Sequence, residues 1–201
     1  MYPKLRLYND FADSKKNEKN IVDGENVKST FLKGGKIILA GAGQSGKTTL
    51  LKRTFLDLVE AKFIPIYISD KEKKFQGPFK KRIESAFHNE YFTDLDVNSL
   101  NKSKIVLLVD DFHNAKEQES IIDECSDYPN LIFSVDDIFS IDLKDSSRVS
   151  EFLRYTIQEY SPSQRDTLIR KWLQLSNQQD SIADYKEIDE DVDVCRQEKR
   201  T

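Results

Sequence analysis

The sequence predicts a three-layer α/β/α fold with a mainly parallel five-stranded sheet. Short apolar runs rich in β-branched and aromatic residues alternate with longer amphipathic segments along most of the chain. A glycine-rich loop separates the first of these runs from the first amphipathic segment, and two acidic residues follow the third run. Alternation of this kind is typical of parallel strands whose connecting helices cover both faces of the sheet.

Five strands and four helices follow from this pattern. The strands are predicted at residues 36–40, 63–69, 104–110, 131–135 and 155–159. The helices are predicted at residues 47–60, 79–91, 115–124 and 163–175. The last helix has a marked start, because Ser161 supplies a capping hydroxyl and Pro162 a fixed φ angle.

The length of 201 residues leaves room for one domain with a substantial core. We expect that domain at residues 31–175, after a lead-in segment at residues 1–30. Residues 176–201 are mostly polar and acidic, which predicts a linker or the start of a following helical element. Because no closing element follows the last predicted helix, we expect the sequence to be the front part of a longer chain.

Composition excludes several classes of protein. The net charge is −4, which provides no general attraction to nucleic acid or to an anionic membrane. The two cysteines, Cys125 and Cys195, have no C-x-x-C spacing, so neither a disulfide framework nor a zinc site is predicted. Neither an apolar leader nor a run long enough to span a bilayer is present, and we expect a cytoplasmic location.

The glycine-rich loop at residues 41–48 reads Gly-Ala-Gly-Gln-Ser-Gly-Lys-Thr and fits the pattern G-x-x-x-x-G-K-[ST]. Its glycines let backbone N–H groups turn towards a phosphate, Lys47 offers a cation to the β- and γ-phosphates, and the Thr48 hydroxyl can bind Mg²⁺. The helix that follows adds the positive end of its dipole. The residues predicted to bind nucleotide are Gly41, Ala42, Gly43, Gln44, Ser45, Gly46, Lys47, Thr48 and Thr49.

The acidic pair Asp110–Asp111 follows a run that is apolar at every position. Such a strand is buried on both faces, so its last residues emerge at the carboxyl edge, which we expect beside the strand that carries the phosphate loop. We assign Asp110, with Thr48, to the Mg²⁺ ion. Asp111 and Lys47 are assigned to catalysis, Asp111 by polarising the attacking water and Lys47 through its contact with the phosphates. The alternative is that the two acids form only a solvated turn. The predicted ligands are ATP or ADP and Mg²⁺.

Four further residues lie close to these motifs in the sequence or follow the next predicted strand. His113 is expected to cap the following helix with Asn114 rather than to sense the γ-phosphate. Ser134 ends the next predicted strand, where related ATPases often carry a polar or cationic sensor. The nearest arginines are Arg148 and Arg154, and a surface charge is expected for them over an arginine finger.

Absent motifs narrow the class of NTPase. A GTPase carries N-K-x-D, whereas the Asn101–Lys102 pair is followed by Ser103 and Lys104. Transporter ATPases carry a glycine-containing signature helix and small-molecule kinases an arginine-rich lid, and neither pattern is present. What remains is the group of ATPases with an additional strand, here residues 63–69, between the phosphate loop and the acidic strand.

Residues 31–175 resemble the NACHT-like branch of the signal-transduction ATPases with numerous domains, known as STAND ATPases. The similarity rests on residues 33–52 around the loop, on Phe-Ile-Pro-Ile-Tyr-Ile at 63–68, on Leu-Leu-Val-Asp-Asp-Phe at 107–112 and on the strand-to-helix step at 155–164. The resemblance implies an ATP-dependent switch with sensor or effector partners that assembles into a homo-oligomer on activation. Bacterial members are commonly sensors in defence against phage.

Two departures from that family affect the functional hypothesis. No winged-helix lid or repeat array follows residue 175, and the expected cationic sensor is missing, which places fast hydrolysis in doubt but not binding. Our leading hypothesis is a slowly hydrolysing ATP-binding switch domain of a signalling or anti-phage defence protein. One alternative is a free-standing P-loop phosphotransferase or ATPase. The other is a nucleotide-binding interaction module without significant turnover.

Overall fold

The computed structural model describes residues 5–8, 21–22, 29–69, 77–137 and 149–179. The chain divides into two compact units, Met1–Glu159 and Tyr160–Thr201. The first unit contains the sheet and all residues of the predicted site. The predicted lead-in segment at 1–30 and the predicted linker at 176–201 lie largely outside the described residues.

The sheet of the first unit has seven strands in the order β2-β1-β7-β3-β6-β5-β4. Five of them, β7, β3, β6, β5 and β4, are parallel, which confirms the predicted sheet. The short strands β1 and β2 extend it beyond β7 and are antiparallel to their neighbours. The strands are β1 (Leu5–Tyr8), β2 (Ile21–Val22), β3 (Lys36–Ala40), β4 (Ile64–Ser69), β5 (Ile105–Asp110), β6 (Asn130–Val135) and β7 (Leu153–Ile157).

The helices are α1 (Lys47–Glu60), α2 (Phe79–Tyr91), α3 (Gln118–Glu124) and, in the second unit, α4 (Pro162–Gln179). The bounds of α1 and α2 are as predicted. Helix α3 begins three residues later than predicted, because a 3₁₀ turn at Phe112–Asn114 precedes it. The predicted cap of α4 is also present: Ser161 N donates to Gln164 Oε1 at 3.0 Å, and Gln164 N donates to Ser161 Oγ at 3.3 Å.

Strand β7 differs from the prediction by two residues, at 153–157 instead of 155–159. Its position is set by pairing with β3, where Leu153 lies opposite Ile37 and Thr156 opposite Ala40. The sequence pattern predicts no strand in the first 30 residues. Strands of four and two residues have too little periodicity to be predicted locally, and pairing with β7 supplies the stabilisation instead.

The core lies on both faces of the sheet. Alternate residues of β3 divide between the two faces, with Ile38 and Ala40 on one side and Ile37 and Leu39 on the other. Strand β5 is buried along its whole length, as its unbroken apolar run predicts. Because β3, β6 and β5 pair in parallel, their carboxyl ends form one edge of the sheet.

The order of these three strands corrects one expectation. We expected the acidic strand beside the strand of the phosphate loop, but β6 lies between them. Residues at the carboxyl end of β6 therefore lie at the site, between the phosphate loop and the acidic pair.

Two further findings concern membrane-spanning helices and the cysteines. Within the described parts of the chain, no helix combines the length and apolar character needed to cross a membrane. Cys125 is completely buried, and burial raises the pKa of its thiol to about 12, so it acts as an apolar core residue. Cys195 lies outside the described residues.

Candidate functional site

The glycine-rich loop joins the end of β3 to the start of α1. Gly41 N donates to the Val135 carbonyl at 3.2 Å, which fixes the start of the loop to β6, and Ser45 N donates to the Ala42 carbonyl at 3.1 Å. Gly46 then takes a φ angle of 92°, a conformation that glycine adopts without steric cost. Leu50 N donates back to the Gly46 carbonyl, so the first turn of the 14-residue helix α1 begins directly at the loop.

A cavity of about 510 Å³ lies above this loop. Because it faces the start of α1, the unpaired N–H groups of the first turn and the helix dipole favour an anion in it. The cavity contains seven of the residues predicted to bind nucleotide, together with four residues from the tips of β5 and β6. Its lining is Gly43, Gln44, Ser45, Gly46, Lys47, Thr48, Thr49, Asp111, His113, Asn114 and Asp136.

Lys47 is nearly buried, with 7 % of its side chain exposed. Its Nζ donates to the carbonyl oxygens of Gly41 and Ala42, the second at 3.0 Å. It also contacts Asp136 Oδ1 at 3.3 Å. The cation thus lies at the base of the cavity, between the loop and the tip of β6.

Asp110 is completely buried and accepts four hydrogen bonds. Thr48 Oγ1 and the Tyr67 hydroxyl donate to Oδ2 at 2.6 and 2.8 Å. Ser134 Oγ and Asp111 N donate to Oδ1 at 2.5 and 3.1 Å. A carboxylate without access to water is costly unless such donors surround it, and here they hold it against Thr48.

The donor set at this point fits Mg²⁺. The Thr48 hydroxyl and the Asp110 carboxylate are hard oxygen ligands in direct contact, and the Asp111 side chain lines the adjoining cavity. Mg²⁺ usually takes only one or two protein ligands and fills the remaining positions with water and phosphate oxygens. Within the described residues, no group of three or more His, Cys, Asp or Glu side chains is arranged to hold a metal ion.

Asp111 has an unusual backbone, with a φ angle of 54°. Its N–H donates to Ser134 Oγ at 2.8 Å, and it precedes the 3₁₀ turn Phe112–Asn114. A left-handed conformation at a residue other than glycine costs free energy and is often found where a side chain has to be aimed. Here it directs the chain sharply away from β5 while Asp111 lines the cavity.

The structure shows the place of Ser134 and corrects two expectations from the sequence, those for His113 and Arg154. Ser134 is fully buried beneath Asp110 and Asp111, so it supports these residues and does not face the cavity as a sensor. His113 does not cap α3, whose N-cap residue is Glu117; its side chain lines the cavity, 3.6 Å from Asp136 Oδ2. Arg154 is only 6 % exposed on β7, so it is not a surface charge. Arg148 lies outside the described residues.

Asp136 and Tyr67 are not among the residues that the sequence pattern predicts for the site. Asp136 had a usable signal, since it is the first charged residue after the mainly apolar run of β6, as Asp110 is at the end of β5. Tyr67 had none, because an aromatic residue within a strand usually indicates packing. Its hydroxyl nevertheless donates to Asp110, and burial, followed by that hydrogen bond, raises the pKa of Tyr67 so that it remains a donor.

Comparisons with known proteins agree with the fold. No family model matches the sequence, and no curated protein matches it. The structure is similar to that of AMPPCP-bound DnaA from Aquifex aeolicus, with a TM-score of 0.50 and 21 % identity over 84 % of this chain. The match covers 57 % of the DnaA chain, so this chain spans little more than half of its length. At this identity the likeness shows the fold alone, an α/β fold with a parallel sheet.

Proposed function

We propose that this chain binds ATP and ADP with Mg²⁺ and is the nucleotide-operated switch domain of a larger signalling protein. The observation that carries the proposal is the convergence of the phosphate loop, the Thr48–Asp110 contact and Asp111 at one cavity. The loop and Thr48 lie together between β3 and α1, whereas Asp110 and Asp111 lie at the end of β5, 62 residues or more further along the chain. A glycine-rich turn without a ligand would require none of the other groups.

Phosphate binding is assigned to the loop and to Lys47. Successive backbone N–H groups of the loop and the first turn of α1 surround the cavity, and Lys47 supplies the positive charge at its base. The DnaA structure that shares this fold was obtained with AMPPCP, which supports an adenine nucleotide as the ligand. We assign the Mg²⁺ ion to Thr48 and Asp110, where it would neutralise the phosphates.

Slow hydrolysis follows from the charges around the cavity. Among the described residues that line it, Lys47 is the only permanently cationic side chain, whereas Asp111 and Asp136 are both acidic. Phosphoryl transfer depends on cations that stabilise the charge spread over the transferring group, and an arginine is commonly needed for high rates. We therefore assign Asp111 to positioning the attacking water and expect low turnover.

The resemblance to NACHT-like STAND ATPases adds the biological role. In that role ATP and ADP would stabilise different states of the domain, and sensor or effector segments or partner proteins would respond to them. Homo-oligomerisation in the ATP state and a part in defence against phage belong to this proposal.

The test uses the purified chain and two pairs of measurements. Calorimetric titration with Mg-ATP and Mg-ADP should give saturable binding, and Lys47→Ala should weaken both by at least about tenfold, which is roughly 1.4 kcal/mol. Lys52→Ala is the matched control, since Lys52 lies on the same helix but is exposed. Phosphate release should be slow and should fall about 10²-fold or more in Asp111→Asn, with binding retained.

Each contrary result has a definite meaning. Lack of nucleotide binding would refute the proposal entirely. Release of ADP only after addition of a small-molecule acceptor would identify a phosphotransferase instead. Binding without phosphate release, unaffected by Asp111→Asn, would identify an interaction module without turnover.

A further inference from the structure

We propose that Asp136 is a specificity-determining residue that competes with the γ-phosphate for Lys47 and thereby favours ADP over ATP. This inference rests on the proposed function, because it concerns the same nucleotide site. Neither the phosphate-loop pattern nor the acidic strand predicts it. It follows from the hydrogen-bond partners of Lys47 and from the charge at the tip of β6.

The ammonium group of Lys47 has three donors and three acceptors around it. Two acceptors are the carbonyl oxygens of Gly41 and Ala42, and the third is Asp136 Oδ1. An ammonium group has only three N–H bonds, so these contacts use its full donor capacity. A phosphoryl oxygen that binds Lys47 must therefore replace one of the three acceptors.

Asp136 is the acceptor that can be replaced. The two carbonyls belong to the loop backbone, which Gly41 N anchors to the Val135 carbonyl and which Ser45 N closes onto the Ala42 carbonyl. Asp136 instead holds Lys47 through a side chain that is 43 % exposed, at 3.3 Å, the longest of the three contacts. Its carboxylate can rotate into solvent without disturbing the loop.

The carboxylate of Asp136 also sets the charge at this end of the cavity. Oδ1 lies at Lys47, and Oδ2 lies 3.6 Å from His113 Nε2. ATP brings one more phosphoryl group than ADP, and with it more negative charge, into the reach of Lys47. Repulsion between like charges a few ångströms apart remains substantial near a protein surface. The presence of Asp136 therefore opposes ATP more strongly than ADP.

The decisive experiment compares two nucleotides in matched variants. The substitution Asp136→Asn retains the size of the side chain and an oxygen acceptor for Lys47 but removes the negative charge. Mg-ADP and Mg-AMPPCP are titrated separately by calorimetry into the wild-type chain and the variant. We expect the affinity ratio of AMPPCP to ADP to rise on the order of tenfold in Asp136→Asn, mainly through tighter binding of AMPPCP.

Asp137→Asn is the matched control, since it removes the same charge from the adjacent residue, whose side chain does not line the cavity. Its ratio should stay within about twofold of wild type. Circular dichroism establishes that each variant is folded, and Asp136→Ser, which also removes the charge, carries the same expectation should Asp136→Asn unfold.

A ratio that changes by less than about twofold in the Asp136 variants, or that changes equally in Asp137→Asn, would overturn the inference. In either case, binding of both nucleotides by the wild-type chain would leave the proposed function intact. A wild-type chain that binds neither nucleotide would instead refute the proposed function itself.

Discussion

The substitution Tyr67→Phe isolates one of the hydrogen bonds that hold Asp110 in place. The Tyr67 hydroxyl donates to Asp110 Oδ2 at 2.8 Å, and Asp110 is completely buried. A hydrogen bond to a charged group contributes about 1.5–3 kcal/mol to stability, roughly twice the contribution of a neutral one. For a chain of this length, that loss corresponds to a decrease in Tm of roughly 3–12 °C.

Tyr91→Phe provides the matched comparison. Tyr91 is also half-buried, and its hydroxyl donates to the carbonyl oxygen of Pro65 at 2.9 Å, which is a neutral acceptor. Its loss should cost only about 0.5–1.5 kcal/mol. Urea unfolding monitored by circular dichroism, in the absence of nucleotide and Mg²⁺, gives both free energies. If Tyr67→Phe proved no more destabilising than Tyr91→Phe, the charge on Asp110 would not be stabilised through Tyr67.

Two further predictions concern stability at other points of the fold. Burial raises the pKa of Glu90 from its ordinary value of 4.5 to about 7. The folded chain therefore binds more protons than the unfolded chain between these values, and this residue's contribution to stability falls as the pH rises through that window. Glu90→Gln can still accept the hydrogen bond from Tyr67 N but carries no charge. In urea unfolding the variant should therefore be more stable than wild type above pH 7. If the difference in unfolding free energy between variant and wild type did not change with pH, the titration of Glu90 would not be its cause. Gly34→Ala should lower the free energy of unfolding by about 1–3 kcal/mol, because the φ angle is 73° and the new Cβ would lie 2.3 Å from Asn130 Oδ1. The double variant Gly34→Ala/Asn130→Ala should lose less stability than the two single variants together, since Asn130→Ala removes the clash. Strictly additive losses would exclude the clash as the cause.

The features that the sequence predicts well are those specified by local patterns. The bounds of α1 follow from its apolar spacing and from Gly46, and the end of β5 follows from an apolar run that stops at two acids. The same reasoning applied to the run of β6 would have identified Asp136, since a polar residue that follows a buried strand meets the same edge.

Local sequence patterns do not determine the order of the strands in the sheet. Placing β6 between β3 and β5 depends on contacts between residues nearly 100 positions apart, such as the pairing of Ile37 with Ile132. The buried position of Ser134 beneath Asp110 could not be predicted for this reason. Whether the last residues of a strand point into a cavity or beneath its neighbour depends on the strand beside it. Tyr67 reaches Asp110 only because β4 pairs with β5 in a register that places Ser69 opposite Asp110.

The central position of β6 links the two halves of the site. Ser134, at its end, donates to Asp110 and accepts from Asp111 N, so it supports the groups assigned to Mg²⁺ and to water. Two residues further on, Asp136 holds Lys47, the group assigned to the phosphates. A nucleotide that displaces Asp136 would therefore act two residues from the side chain that positions Asp110. The proposed switch requires that the bound phosphate influence residues beyond its own contacts, and β6 is the segment through which we propose that it does so.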